Sequence, residues 1–195
     1  MSRNRKESVK WSKYADIYDP IQIGSIDGTD TFPHDNGIVR AINSHYKPNE
    51  FTKGEARCTI FVGRLHPKTS EETLKRKFRR YGEIVRCRLI RDIVTGISKN
   101  YAFIEFESCT SAKAAANEMN LQRIDDAEII VDLEHERRLA GWKPRRLGGG
   151  FGGKKESGQL RFGCKIRPFQ RPFDSSGPTT AKDLKEIFRH QKYNK

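Results

Sequence analysis

The chain has 195 residues, of which 35% are hydrophobic and 32% charged, and its formal net charge is +13. That length suits one domain with extensions, and that composition leaves part of the chain without a core of its own. The positive excess points to a polyanionic partner, whereas no signal peptide and no apolar run of membrane-spanning length argue for a soluble protein that keeps off membranes.

The charge is unevenly spread. Residues 1–56 carry a net charge of 0, residues 57–134 of +2 and residues 135–195 of +11. These limits mark the expected division: an N-terminal extension with a short helix, a compact domain, and a basic Gly/Arg-rich tail that is largely irregular.

In the N-terminal extension Ile17, Ile21 and Ile23 precede a helix expected over 36–46, capped by Asp35, with Ile38, Val39 and Ile42 as its apolar side. So short a helix is marginal alone and is expected to pack on the central domain or on another protein, the domain being favoured. The domain opens with CTIFVG (58–63), where Ile60 and Val62 share one strand face and Phe61 takes the other. Thr69-Ser-Glu-Glu72 is a capping box before a helix with Leu74, Phe78 and Tyr81 inside, ended by Gly82. IVRCRLI (84–90) is a second strand carrying Arg86 and Arg88, and Asp92 to Ser98 is a polar turn around Gly96. YAFIEFE (101–107) is a third strand. Ser108 and Thr110 open a second helix with Ala112, Ala115, Ala116 and Met119 inward, and AEIIVDL (127–133) is a fourth strand. The order β-α-β-β-α-β predicts an α+β, ferredoxin-like fold with both helices on one face of a four-stranded sheet.

Period-two alternation puts Lys99, Tyr101, Phe103 and Glu105 on one side of the third strand and Ala102, Ile104 and Phe106 on the other. The small and aliphatic set fits beneath helices, so Tyr101 and Phe103 face outward, and Phe61 joins them. Large rings on an uncovered sheet suit base stacking. Arg86 and Arg88 share the face and suit phosphates.

The tail begins with GWKPRRLGGGFGGKK (141–155), too rich in glycine to form a helix or strand unaided. Its run from Gly148 to Lys155 lacks the Ser/Thr and the preceding strand of a phosphate-binding loop. AKDLKEIFRH (181–190) places Leu184, Ile187 and Phe188 on one helical face, as a partner-binding helix or a frayed end. Cys58, Cys87, Cys109 and Cys164 have no metal-knuckle or redox spacing; the first three fall on expected strands and a helix start and read as small core or edge residues, and a reducing compartment, the cytosol or nucleus, is expected. The five histidines are scattered and no Ser/His/Asp set stands out, so neither an enzyme, a metal, a cofactor nor a small-molecule substrate is expected.

KNYAFIEF (99–106) resembles the octamer, and IFVGRL (60–65) the hexamer, of the RNA-recognition motif. Asn100 stands where that family usually has Gly, and Asn tolerates positive φ. Arg64 replaces a common Asn and adds charge. Val131, Asp132, Glu134, Arg138, Gly141, Trp142, Pro144 to Leu147 and Gly148 to Gly150 resemble one small group within that family. It comprises the seventy-kilodalton protein of the major-spliceosome ribonucleoprotein and its thirty-five-kilodalton minor-spliceosome counterpart. YDPIQIGSIDGTDTFPHDNGIVRA (18–41) and KKESGQLRFG (154–163) favour the minor-spliceosome branch. Contacts of the Arg-Ser or Arg-Glu/Asp repeats found in relatives are not carried over.

The resemblance implies a nuclear protein, in the particle that recognises 5′ splice sites of rare introns, bound to a small nuclear RNA stem-loop and to other proteins of that particle. Alternatives are a general single-stranded RNA binder and the corresponding major-spliceosome subunit. Phe61, Tyr101 and Phe103 would stack bases, with Lys99, Arg86, Arg88 and Arg64 beside them. Arg145 and Arg146 would clamp phosphates while the glycines bring main-chain N–H groups close. Trp142 would either anchor the tail or stack on a nucleotide.

Overall fold

The computed structural model describes residues 11–49 and 52–172; the segment 181–190 lies outside the described residues. Two short helices come first, α1 (Pro20–Gly24) and α2 (Asn36–Asn43). They are followed by β1 (Thr59–Gly63), α3 (Glu71–Phe78), β2 (Ile84–Arg91), β3 (Ser98–Phe106) and α4 (Cys109–Glu118). A small hairpin of β4 (Arg123–Ile124) and β5 (Ala127–Glu128) leads into β6 (Ile130–Leu133). The main sheet is antiparallel in the order β2-β3-β1-β6, the ferredoxin-like arrangement that the pattern predicts. AEIIVDL is divided rather than continuous: Ala127 and Glu128 turn back on β4, Ile129 is buried, and only the last four residues join the main sheet.

One core lies between the sheet and its helices. Ile60, Val62, Ala102, Ile104, Phe106 and Val131 meet Leu74, Phe78, Ala112, Ala115 and Ala116, all nearly or fully buried. Ser70, not Thr69, caps α3 through the Thr73 N–H; Thr69 donates its hydroxyl to Asp125 instead. Ser108 caps α4 as expected. Cys58 and Cys109 correct the expectation of separate reduced cysteines. The turn Ala56–Cys58 packs on α4, the two Cα atoms stand 4.0 Å apart, and the sulfurs form a disulfide. A separation of 51 residues hides that meeting in the sequence. Cys87 and Cys164 stay free, and burial pushes each thiol up to about 11, too high for a nucleophile at neutral pH.

The two extensions fold on each other. Tyr18 and Ile23 from the N-terminal side and Leu139 from the tail form a second buried cluster, with Ala15, Trp142, Phe151 and Phe169 around it. The helical part of the N-terminal extension thus meets the chain's own tail, where the favoured expectation was the central domain. In α2 the buried residues are Gly37, Ile38 and Ala41, while Val39 and Ile42 are exposed. Ile38 turns its terminal carbon towards Gly24 of α1, so the inward face is rotated by about one residue from the predicted one.

Arg161 is the keystone of this second unit. It is 1% exposed, forms a fork on Asp35 (2.8 and 3.0 Å), and donates to the carbonyls of Gly148 and Leu160. Asp35 simultaneously caps α2 through the Ile38 N–H at 2.8 Å. Burial would raise the Asp35 carboxyl, but the bonds from Arg161 and Ile38 outweigh it and hold the carboxyl below the usual range. Gly148 packs directly on the Gly37 carbonyl at φ +88°, where any side chain would collide. Main-chain bonds from Ala15 to Gly163, Tyr18 to Ala140, Phe162 to Ile23 and Phe169 to Lys13 complete the seam. Lys165 ties the unit to the domain through the Ala116 carbonyl and the Asn117 side chain of α4.

Candidate RNA interface

The face of the sheet away from α3 and α4 carries Phe61, Tyr101 and Phe103. Register explains why: Phe61 pairs with Phe103 and Gly63 with Tyr101, while the buried Val62 pairs with the buried Ala102. The rings form a triangle with centroids 5.7 to 6.1 Å apart. All three are partly exposed. Gly63 makes room for this arrangement. A Cβ there would lie 2.8 Å from the Phe61 ring and 3.0 Å from Ile130. Asn100 has φ +60°, and its carbonyl accepts from the Leu65 N–H, so the strand kinks beside Tyr101 without glycine.

The charged residues of the face differ in availability. Arg88 stands opposite Phe103 and is exposed. Lys99 lies 3.6 Å from Asp92 and Arg64 lies 3.6 Å from Glu128, both pairs well exposed and therefore weak. Arg86 is more committed. It donates to the Lys53 carbonyl at 3.1 Å and lies 4.0 Å from Glu105, which accepts the Glu55 N–H at 2.8 Å. Arg137, beyond β6, donates to the Gly54 carbonyl at 2.6 Å and is forked on the buried Glu134. Thr59 of β1 donates to the Glu55 carbonyl at 2.8 Å. Residues 52–55 thus form a strap held from β1, β2 and β3 and by Arg137 just past β6, at one end of the sheet.

The residues of the tail separate in the same way. Trp142 sits in an aromatic cluster, 5.0 Å from Tyr18, 5.3 Å from Phe151 and 5.8 Å from His135. Arg145 spends its guanidinium on the Gln159 carbonyl at 2.9 Å, whereas Arg146 is exposed over the Tyr46 ring. The glycine N–H groups are occupied: Gly148, Gly149, Gly150 and Gly152 bond to the carbonyls of Arg145, Pro144, Lys143 and Arg161. This corrects the expectation that they are free to approach a backbone; the glycines serve tight turns instead. A groove beside the turn is lined by Tyr46, Arg137, Arg138, Trp142 and Lys143. Among the described residues no His/Cys/Asp/Glu group could hold a metal ion, and no helix is long and apolar enough to cross a membrane.

A family profile described as the RNA recognition motif matches residues 60–130, from β1 through α3, β2, β3 and α4 to the start of β6. The U11/U12 small nuclear ribonucleoprotein 35 kDa protein of Danio rerio is 53% identical over 168 residues, covering 86% of this chain and 81% of that protein. The chain belongs to this 35 kDa family. The human member is 51% identical over 89% of this chain and 70% of its own length. The U1 small nuclear ribonucleoprotein 70 kDa of Arabidopsis thaliana is 36% identical, over 78% of this chain and 36% of its own. The match to the 35 kDa family extends well beyond the motif, so the folded extensions belong to the family's shared sequence. The sequence pattern does not mark the strap residues, Arg161 or Gly63, because the burial of Arg161 and the approach of Gly63 to the Phe61 ring arise only in the fold.

Proposed function

We propose that this protein is an RNA-binding subunit of a minor-spliceosome ribonucleoprotein, seated in the nucleus on a stem-loop of a small nuclear RNA. The observation that carries this reading is the ring triangle on an open sheet, in a chain of the U11/U12 35 kDa family. RNA helices hide their base edges, so sequence is read in splayed loops. Phe61, Tyr101 and Phe103 stack loop bases. Arg88, Lys99 and Arg64 meet the flanking phosphates, with Arg86 contributing from the strap. Arg146 and Arg138 extend the cationic track past the groove. Arg145 and Trp142 act mainly by holding the tail in shape, and other proteins of the particle contact the exposed extension surface.

Capture of RNA from nuclear extract, followed by sequencing, tests this. A single minor-spliceosomal RNA supports it, a broad RNA population supports a general single-strand binder, and a major-spliceosomal RNA points to the 70 kDa role. Phe103→Ala and Tyr101→Ala should each weaken binding of the captured RNA by about 1–3 kcal/mol while the melting temperature holds.

A further inference from the structure

Two carboxylates share the ring face. Glu105 is taken up by the strap. Asp132 is not: it stands on β6 directly opposite Phe61, while its neighbour Val131 is fully buried on the other face. One of its oxygens accepts the Leu133 N–H at 2.8 Å. The other lies 3.3 Å from His135 Nε2, and the His135 ring stacks on Trp142 and meets Phe151 edge-on. The second unit therefore backs this carboxylate from behind, with the buried His135 Nε2, which has no hydrogen-bond partner among the described residues, beside it.

A negative group on a surface that receives a polyanion costs affinity unless a donor meets it. Phosphates offer no donor, and a carboxylate is an acceptor only. Base edges do offer donors. A residue directly across from a stacking ring has its Cβ about 5 Å away, so its carboxylate reaches the edge of a base lying on that ring.

On the reading of the sheet as an RNA platform, we infer that Asp132 selects the nucleotide stacked on Phe61, favouring guanine. Guanine places N1–H and the 2-amino group side by side, matching two carboxylate oxygens. Uracil is disfavoured, because carbonyl oxygens flank its one N–H and would face the carboxylate. His135 is a positioning residue for this contact.

The test uses the full chain and a library of RNA hairpins with randomised loops, sequencing the bound fraction for wild type and for Asp132→Asn. Asn keeps the size and can still accept the Leu133 N–H. One loop position should demand guanosine in wild type and lose that demand in Asp132→Asn. Replacing this guanosine by uridine should weaken wild-type binding by roughly 5- to 150-fold and the variant's by far less. Replacing it by inosine, which lacks the 2-amino group, probes the contact with the protein unaltered; equal wild-type binding of the two overturns the inference. So does a guanosine demand that persists in Asp132→Asn, or a wild-type profile without such a position. Failure of wild type to enrich any hairpin sinks the platform reading itself, which the other outcomes leave standing.

Discussion

Replacing Arg161 by Met should release the second unit and leave the domain folded. The substitution removes two bonds to Asp35, two to the Gly148 carbonyl and one to the Leu160 carbonyl, all between 2.8 and 3.0 Å. Breaking a buried ion pair from one side costs about 3–5 kcal/mol. Asp35 keeps 16% exposure and recovers some hydration, which places the loss near the lower end, about 3 kcal/mol. That is roughly a hundredfold shift in the local equilibrium, against a cluster whose fully packed members are only Tyr18, Ile23 and Leu139. The assay is built into the chain. Both tryptophans, Trp11 and Trp142, lie in this unit, so tryptophan fluorescence follows it, while far-ultraviolet circular dichroism weights the four-stranded sheet with α3 and α4 more heavily than the short α1 and α2. Arg161→Met should move the fluorescence transition to lower urea and spare the dichroism transition. Arg161→Lys keeps the charge but loses the fork, and should fall between. An unmoved fluorescence transition, or both transitions falling together, would refute the picture of a separate unit pinned by Arg161.

Gly63→Ala should displace the Phe61 ring, weakening RNA binding several-fold with little loss of melting temperature; unchanged affinity in a filter-binding assay would show that the ring position is not critical. Arg146→Ala should flatten the plot of log affinity against log salt by roughly 0.7 to 0.9, while Arg145→Ala should alter the slope less and lower the stability of the tail, both measurable across a salt titration. The depressed Asp35 carboxyl contributes stability present above its unfolded value near 3.9 and lost as pH falls through the folded one. Tryptophan fluorescence should therefore report acid release of the second unit below about pH 4, and Asp35→Asn should remove much of that pH dependence.

Inside the domain the sequence was legible because its signals are local. Alternation along β3 separates Tyr101 and Phe103 from Ala102, Ile104 and Phe106, and burial follows it residue by residue. Helix caps lie within three residues of what they cap. The second unit escaped because its decisive contacts are remote: Asp35 to Arg161 spans 126 residues and Tyr18 to Gly150 spans 132. Its backbone runs through turns with no period to read, and α2 is too short for its apolar pattern to choose between the face of Ile38 and Ala41 and that of Val39 and Ile42. Asp132 lay within reach of the same parity argument that placed Phe61.

The pairing of the two extensions also sets a timetable for synthesis. Asp35 emerges 126 residues before Arg161, and at about 5–20 residues per second that interval is ~6–25 s. For most of it Tyr18 and Ile23 lack the tail side of their cluster, because Leu139 and Trp142 emerge only near its end and Phe169 after it. The sheet and its helices are complete by Leu133 and close without them. The nascent chain therefore carries a finished domain behind an apolar leader that waits on the ribosome, open to chaperones and proteases, until the last stretch arrives to enclose it.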